Sequence, residues 1–156
     1  MSKLKVTTPT DTTIRFERAL GASPDRVFHA FTDAGLMAQW YSDPSNPIVS
    51  VESEPREGGA YKMVWDGSDG AMTMSGIYTL FDRPNALKST EHWDPDWAGG
   101  KVLNDIEFHS RGDGTNMILT STYASKEARD GAKDGAAEGF GACLDAMDAL
   151  FASATA

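Results

Sequence analysis

The segment Ser23–Tyr41, S-P-D-R-V-F-H-A-F-T-D-A-G-L-M-A-Q-W-Y, constrains the fold of this chain more than any other. Ser23 is placed to accept backbone N–H bonds at a helix start, and Pro24 suits the first helical position. Val27, Phe28 and Phe31 then fall at i, i+1 and i+4. Asp33 reads as a second cap, after which Leu36, Met37 and Trp40 repeat the spacing. Two short amphipathic helices in a row follow an alternating stretch and precede several more. A chain built this way runs strand, helix pair, strands, and a final long helix.

The rest of the sequence fills in that frame. In Thr12–Leu20, Ile14, Phe16, Arg18 and Leu20 share one strand face. Asp43–Pro47, with two prolines and an Asn, reads as a loop. Ile48–Glu54 is a strand ended by Pro55. After Gly58 and Gly59, Tyr61, Met63 and Trp65 alternate with Ala60, Lys62 and Val64. Gly67–Gly70 reads as a hairpin turn. Ala71–Phe81 places Met72, Met74, Gly76, Tyr78 and Leu80 on one face, Asp82–Asn85 is a turn, and Leu87–Trp93 is a strand. Trp93–Gly100, W-D-P-D-W-A-G-G, is the least regular stretch and is expected to be a mobile loop. Val102–Ser110 alternates through Asn104, Ile106 and Phe108, and Arg111–Thr115 is a tight hairpin. Met117, Leu119, Ser121 and Tyr123 share a face of the last strand. Ser125 caps a long helix to about Ser153, striped by Ala136, Phe140, Cys143, Leu144, Met147, Leu150 and Phe151. Successive hairpins followed by a helix give an α+β fold, an antiparallel sheet of six or seven strands with the terminal helix on one face. Residues 1–11 are expected to be a flexible N-terminus in a single domain spanning 1–156.

Bulk properties exclude some functions. At 156 residues the chain is long enough to bury a full core without staples. Its 14 basic and 23 acidic residues give a net charge of −9, which suits neither nucleic acid nor an anionic membrane. Cys143 is the only cysteine, so no internal disulfide forms, and a reducing, cytoplasmic setting is expected. The N-terminus has no apolar signal core, and no apolar run approaches the length of about 20 residues needed to span a membrane.

Chemistry is sparse. There is no G-x-S-x-G, phosphate loop or G-x-G-x-x-G, so no catalytic motif or cofactor is indicated. Of the three histidines, His29 reads as surface and His109 alternates outward from Phe108. His92 sits in a polar run with Glu91, Asp94 and Asp96, but neighbours on a strand point apart and no spaced ligand set accompanies them, so no metal is expected. Tyr61, Met63, Trp65, Met72, Met74, Tyr78, Phe108 and Met117 all point at the terminal helix. They form either a solid core or the lining of a ligand cavity. Gly131, Gly135 and Gly139 recur every four residues, and each costs about 1 kcal/mol against Ala in a helix interior. Either they leave room beside the helix, or the helix starts late, near Asp134. Glu91 shares parity with Leu87, Ser89 and Trp93 and so faces inward, where a lone carboxylate is expensive unless paired or protonated. Arg18 has the same inward parity, with an acid as its natural partner. For both, a register error or a place at the open end of the sheet is the alternative.

Several pieces in this order resemble a known family. They are R-A-L-G-A-S-P-D-R-V-F-H-A-F-T-D from Arg18, L-M-A-Q-W-Y from Leu36, E-G-G-A-Y-K-M at Glu57–Met63, G-I-Y-T-L-F-D-R-P-N-A-L at Gly76–Leu87, G-D-G-T at Gly112–Thr115 and A-E-G-F-G-A-C-L-D-A-M at Ala137–Met147. Together they resemble the helix-grip (START, birch-pollen-allergen, SRPBCC) superfamily. Within it they resemble the domain homologous to the C-terminal part of the activator of heat-shock-protein-90 ATPase. The resemblance implies a curved antiparallel sheet gripping the C-terminal helix around a hydrophobic cavity. It brings no catalytic motif, and Tyr41 stands where members often have a second Trp. The length leaves no room for the separate N-terminal domain of the eukaryotic co-chaperone.

The expectation is therefore a binder of a small apolar or amphipathic molecule, with Trp40, Tyr61, Met63, Trp65, Met74, Tyr78, Glu91, Phe108, Phe140 and Leu144 around it. The alternatives are a chaperone-contacting protein and a cyclase- or hydrolase-type enzyme using a cavity polar group such as Glu91.

Overall fold

A computed structural model describes residues 3–43, 46–67 and 70–154. Among the described residues, eight strands form one antiparallel sheet: β1 (Lys5–Thr7), β2 (Thr13–Leu20), β3 (Ile48–Ser53), β4 (Ala60–Gly67), β5 (Gly70–Asp82), β6 (Ala86–Asp94), β7 (Val102–Arg111) and β8 (Gly114–Thr122). Their spatial order is β1-β2-β8-β7-β6-β5-β4-β3. Helices α1 (Pro24–Thr32) and α2 (Ala34–Trp40) carry the chain from β2, near one edge, to β3 at the opposite edge, and α3 (Lys126–Ala154) completes the fold. This is the expected α+β helix grip.

The helix pair forms as its sequence dictates. Ser23 Oγ accepts from Arg26 N at 3.4 Å, with Pro24 at the first position. Asp33 serves both helices: its N–H donates to His29 O at 2.9 Å to end α1, and its Oδ2 accepts from Leu36 N at 3.0 Å to start α2. The Trp40 indole N–H donates to Ala30 O at 2.8 Å, and its ring meets Phe31 edge-on at 5.0 Å, fixing the angle between the helices. Val27, Phe28, Phe31, Met37 and Trp40 are all buried.

Two features differ from the sequence reading. Residues Lys5–Thr7, within the stretch expected to be flexible, pair with Arg15–Glu17 and add an eighth, edge strand. Three residues with no long apolar alternation leave almost no sequence signal; backbone pairing to β2 makes the strand. On β5, pairing to β6 shifts between Tyr78 and Leu80, so Leu80 lies opposite exposed Lys88 and Phe81 opposite buried Leu87. This bulge reverses the expected parity. Phe81 therefore packs edge-on against Phe28 at 4.9 Å in place of Leu80. The long helix agrees with its cap signal: α3 begins at Lys126, capped by Ser125 Oγ accepting from Ala128 N at 3.0 Å, so all three spaced glycines lie within the helix and the late start near Asp134 does not occur. The hairpin turn expected at Gly67–Gly70 and the loop at Asp43–Pro47 fall partly outside the described residues. Gly67 pairs with Gly70, and Asp43 forms an isolated bridge to Asn46.

The terminal half of α3 is bound to the sheet by Leu144, Met147 and Phe151, all buried, and by Arg18. Arg18 is 3% exposed and its guanidinium contacts Asp145 at 2.7 Å and Asp148 at 3.1 Å, while Asp148 Oδ1 also accepts from Gly21 N at 3.0 Å. This arginine points inward as its parity predicted. Its partners are helix carboxylates rather than the cavity.

Candidate functional site: an aromatic cavity with one half-buried carboxylate on its wall

Between the concave face of the sheet, α2 and the first half of α3 lies a cavity of about 550 Å³. That is within the size range of pockets for small organic ligands, about 300–1,000 Å³. Its exposed lining residues, Asp43, Trp97, Gly135, Gly139 and Ala142, mark where it opens, between the α2–β3 connection, the β6–β7 loop and α3. Two glycines of α3, Gly135 and Gly139, border the opening. A Cβ built at Gly135 or Gly139 would meet nothing within 4 Å. Gly131 has the same open surroundings but does not line the cavity.

The walls are aromatic. All four tryptophans line it. Trp40 stacks on Tyr41 at 3.8 Å, Tyr41 meets Trp65 edge-on at 6.2 Å, Trp65 stacks on Trp93 at 5.6 Å, and Trp93 contacts Trp97 at 5.0 Å. This row runs from the buried helix pair to Trp97, which is 41% exposed at the mouth. Trp65 is held by its indole N–H donating to Tyr41 O at 3.0 Å. On the sheet, Tyr61 and Tyr78 stack at 5.4 Å. Their hydroxyls are committed elsewhere. Tyr61 reaches across Gly76 to donate to Thr90 O at 2.6 Å, and Tyr78 bonds Ser53 Oγ at 2.8 Å. Any side chain at Gly76 would collide with the Thr90 carbonyl and the Tyr61 ring. Met63, Met72 and Met74 supply deformable surface between the rings.

One polar group is set into this apolar wall. Glu91, on β6, accepts from the Trp93 indole N–H at 2.6 Å through Oε2 and from Asn104 Nδ2 at 2.8 Å through Oε1. Asn104, on β7, accepts in turn from Ser121 Oγ, on β8, at 2.7 Å. The three polar residues stand at inward positions on adjacent strands and form a chain across them. Burial pushes the Glu91 carboxyl above its usual range, against the opposing pull of its two hydrogen bonds and of His92. Tyr41, Tyr61 and Tyr123 are pushed up chiefly by burial, with the Glu91 charge contributing at each. Cys143 also lines the cavity. Burial, assisted by Asp43, raises its thiol to about 11, so it is protonated at neutral pH and a poor nucleophile.

Of the ten residues expected around a ligand, eight line the cavity: Trp40, Tyr61, Met63, Trp65, Met74, Tyr78, Glu91 and Phe140. Phe108 and Leu144 do not. Phe108 packs edge-on between Phe28 and Phe31, at 5.4 and 5.6 Å, because α1 covers that end of β7. Leu144 is fully buried where α3 closes on the sheet. Sequence reasoning missed Asn104, Ser121, Trp93 and Trp97 as site residues. The first three had inward parity, and only the pairing register could show that Asn104 and Ser121 meet Glu91. Among the described residues no group of His, Cys, Asp and Glu is arranged to hold a metal ion, and no helix is long and apolar enough to cross a membrane.

Comparison with known proteins gives a family and a fold. The pattern of the family described as "Activator of Hsp90 ATPase homolog 1-like protein" matches residues 21–152. A solved structure from Rhodobacter sphaeroides is similar at 26% identity over 97% of this chain and 99% of that one, with a TM-score of 0.90. One from Mycobacterium smegmatis is similar at 25% identity over 94% of each chain, with a TM-score of 0.83. A Staphylococcus aureus protein of unknown function, 22% identical over 97% of each chain with a TM-score of 0.76, shares the fold. No curated protein matches.

Proposed function

The chain belongs to the activator of Hsp90 ATPase homologue 1-like family, and on that premise we propose that it binds a small apolar or amphipathic molecule in the cavity under α3. The observation that carries this reading is the space itself. About 550 Å³ lies among aromatic and methionine side chains, with one cluster of polar groups to orient an occupant. The glycines support it independently. Gly135 and Gly139 cost helix stability and have no packing partner that requires them, so they make sense as residues that keep the space open. Native mass spectrometry of gently purified protein tests the reading. A mass increment of a few hundred daltons that is lost on denaturation is expected. Only bare protein, together with failure of any apolar probe to bind, would contradict it.

The family name favours a second reading, stimulation of a chaperone ATPase, which would act through the surface and need no cavity. On the ligand-binding reading, micromolar protein leaves the ATPase rate of a heat-shock-protein-90 chaperone essentially unchanged. A several-fold increase, abolished by surface substitutions, would reverse the order of the two.

A further inference from the structure

We propose that the cavity selects a ligand carrying a protonated amine, seated at Glu91, on an apolar or aromatic body, and discriminates against carboxylates and other anions. This deepens the ligand-binding reading and rests on it. The first observation is charge. Among the described residues no Lys, Arg or His lines the cavity, whereas Glu91 lies on its wall and Asp43 at its mouth. His92, next in sequence to Glu91, is exposed and borders a groove on the other side of the sheet.

A carboxylate set in an apolar wall is costly, and its penalty is relieved by a cation brought into contact. The donors from Trp93 and Asn104 each take one Glu91 oxygen and hold the carboxylate in place. A carboxylate oxygen accepts more than one hydrogen bond, so acceptor capacity remains for an ammonium N–H. An anionic headgroup at the same place would meet Glu91 with no cation to separate them.

The second observation is the wall beside it. The Trp93 indole N–H that holds Glu91 belongs to the Trp40–Tyr41–Trp65–Trp93–Trp97 row on the same cavity wall, so the apolar or aromatic body of a ligand seated at Glu91 packs against these rings. The third is long range. A net charge of −9 draws cations toward the protein and repels anions before any contact forms.

A matched series with one naphthalene body tests the proposal: naphthylmethylamine, naphthylmethanol and naphthoate, titrated calorimetrically near neutral pH and at fixed salt. The amine is expected to bind about tenfold or more tighter than naphthoate, with naphthylmethanol between them, and Glu91→Gln is expected to narrow the gap between amine and naphthoate. Equal affinity for all three in the native protein would overturn the amine proposal while leaving the cavity reading intact, as would tightest binding of naphthoate. Binding by none of the three would count against both. The ranking on the unsubstituted protein decides the matter even where E91Q fails to fold.

Discussion

Glu91 and Arg18 are two inward-facing charges on the same sheet with opposite solutions. Arg18 meets two carboxylates of α3, so its charge is compensated within the fold. Removing a partner from a buried ion pair costs about 3–5 kcal/mol, whereas an exposed partner contributes under about 1 kcal/mol. Asp148 is the more buried partner and also receives the Gly21 N–H; Asp145 is largely exposed. Chemical denaturation is therefore expected to show Asp148→Ala destabilising by about 3 kcal/mol and Asp145→Ala by less than about 1 kcal/mol.

Glu91 has hydrogen bonds but, among the described residues, no ion-pair partner, and burial raises its pKa from 4.5. Below 4.5 the carboxyl is protonated in both folded and unfolded chains, and as pH rises through the higher folded value the folded state must ionise at a cost, so stability is lost. The unfolding free energy of the native protein relative to E91Q is thus expected to fall as pH rises from below 4.5 towards neutrality. Tyr41, Tyr61 and Tyr123 stay protonated throughout, and groups that do not interact with Glu91 cancel between the two proteins; the pull of His92 opposes the effect of burial without outweighing it. A difference that stays flat or rises with pH would contradict the placement of Glu91.

At the scale of elements, α3 does two jobs along its length. Its second half packs, through Leu144, Met147 and Phe151, and its first half leaves space, through Gly135 and Gly139. Gly131 is exposed, helical and outside the cavity, so Gly131→Ala removes backbone freedom without a clash. It is expected to raise stability by about 0.5–1 kcal/mol with ligand binding unchanged. Gly135→Leu and Gly139→Leu should instead fill the cavity and weaken probe binding more than folding. If both substitutions unfolded the protein with no selective effect on binding, the region beside the helix would be packed core.

At the scale of the molecule, most of the architecture was legible because hydrophobic period survives in a single sequence. The cap residues Ser23 and Asp33 fixed the helix pair, alternation fixed the inward faces of β2, β4, β7 and β8, and parity pointed Glu91 inward while leaving a register error open. What was not legible depends on how strands are paired rather than on what each strand is. The β5 bulge that turns Phe81 inward, the edge strand Lys5–Thr7, and the meeting of Ser121, Asn104 and Glu91 across three strands all require the register. The choice between solid core and cavity likewise lay in volume, which composition does not report: Phe108 and Leu144 have the same chemistry as lining residues but sit where α1 and α3 close on the sheet.

An accessible ligand cavity in the interior can be checked by titration with the neutral fluorophore N-phenylnaphthylamine. Because all four tryptophans line the cavity, occupancy should report on both partners. Saturable one-to-one binding, enhanced probe fluorescence, altered tryptophan emission and loss of affinity in Gly139→Leu are expected. At about 100 times the dissociation constant, the probe should add about 2.7 kcal/mol to the unfolding free energy. Tryptophan emission unchanged at saturating probe, with no gain in stability, would contradict it.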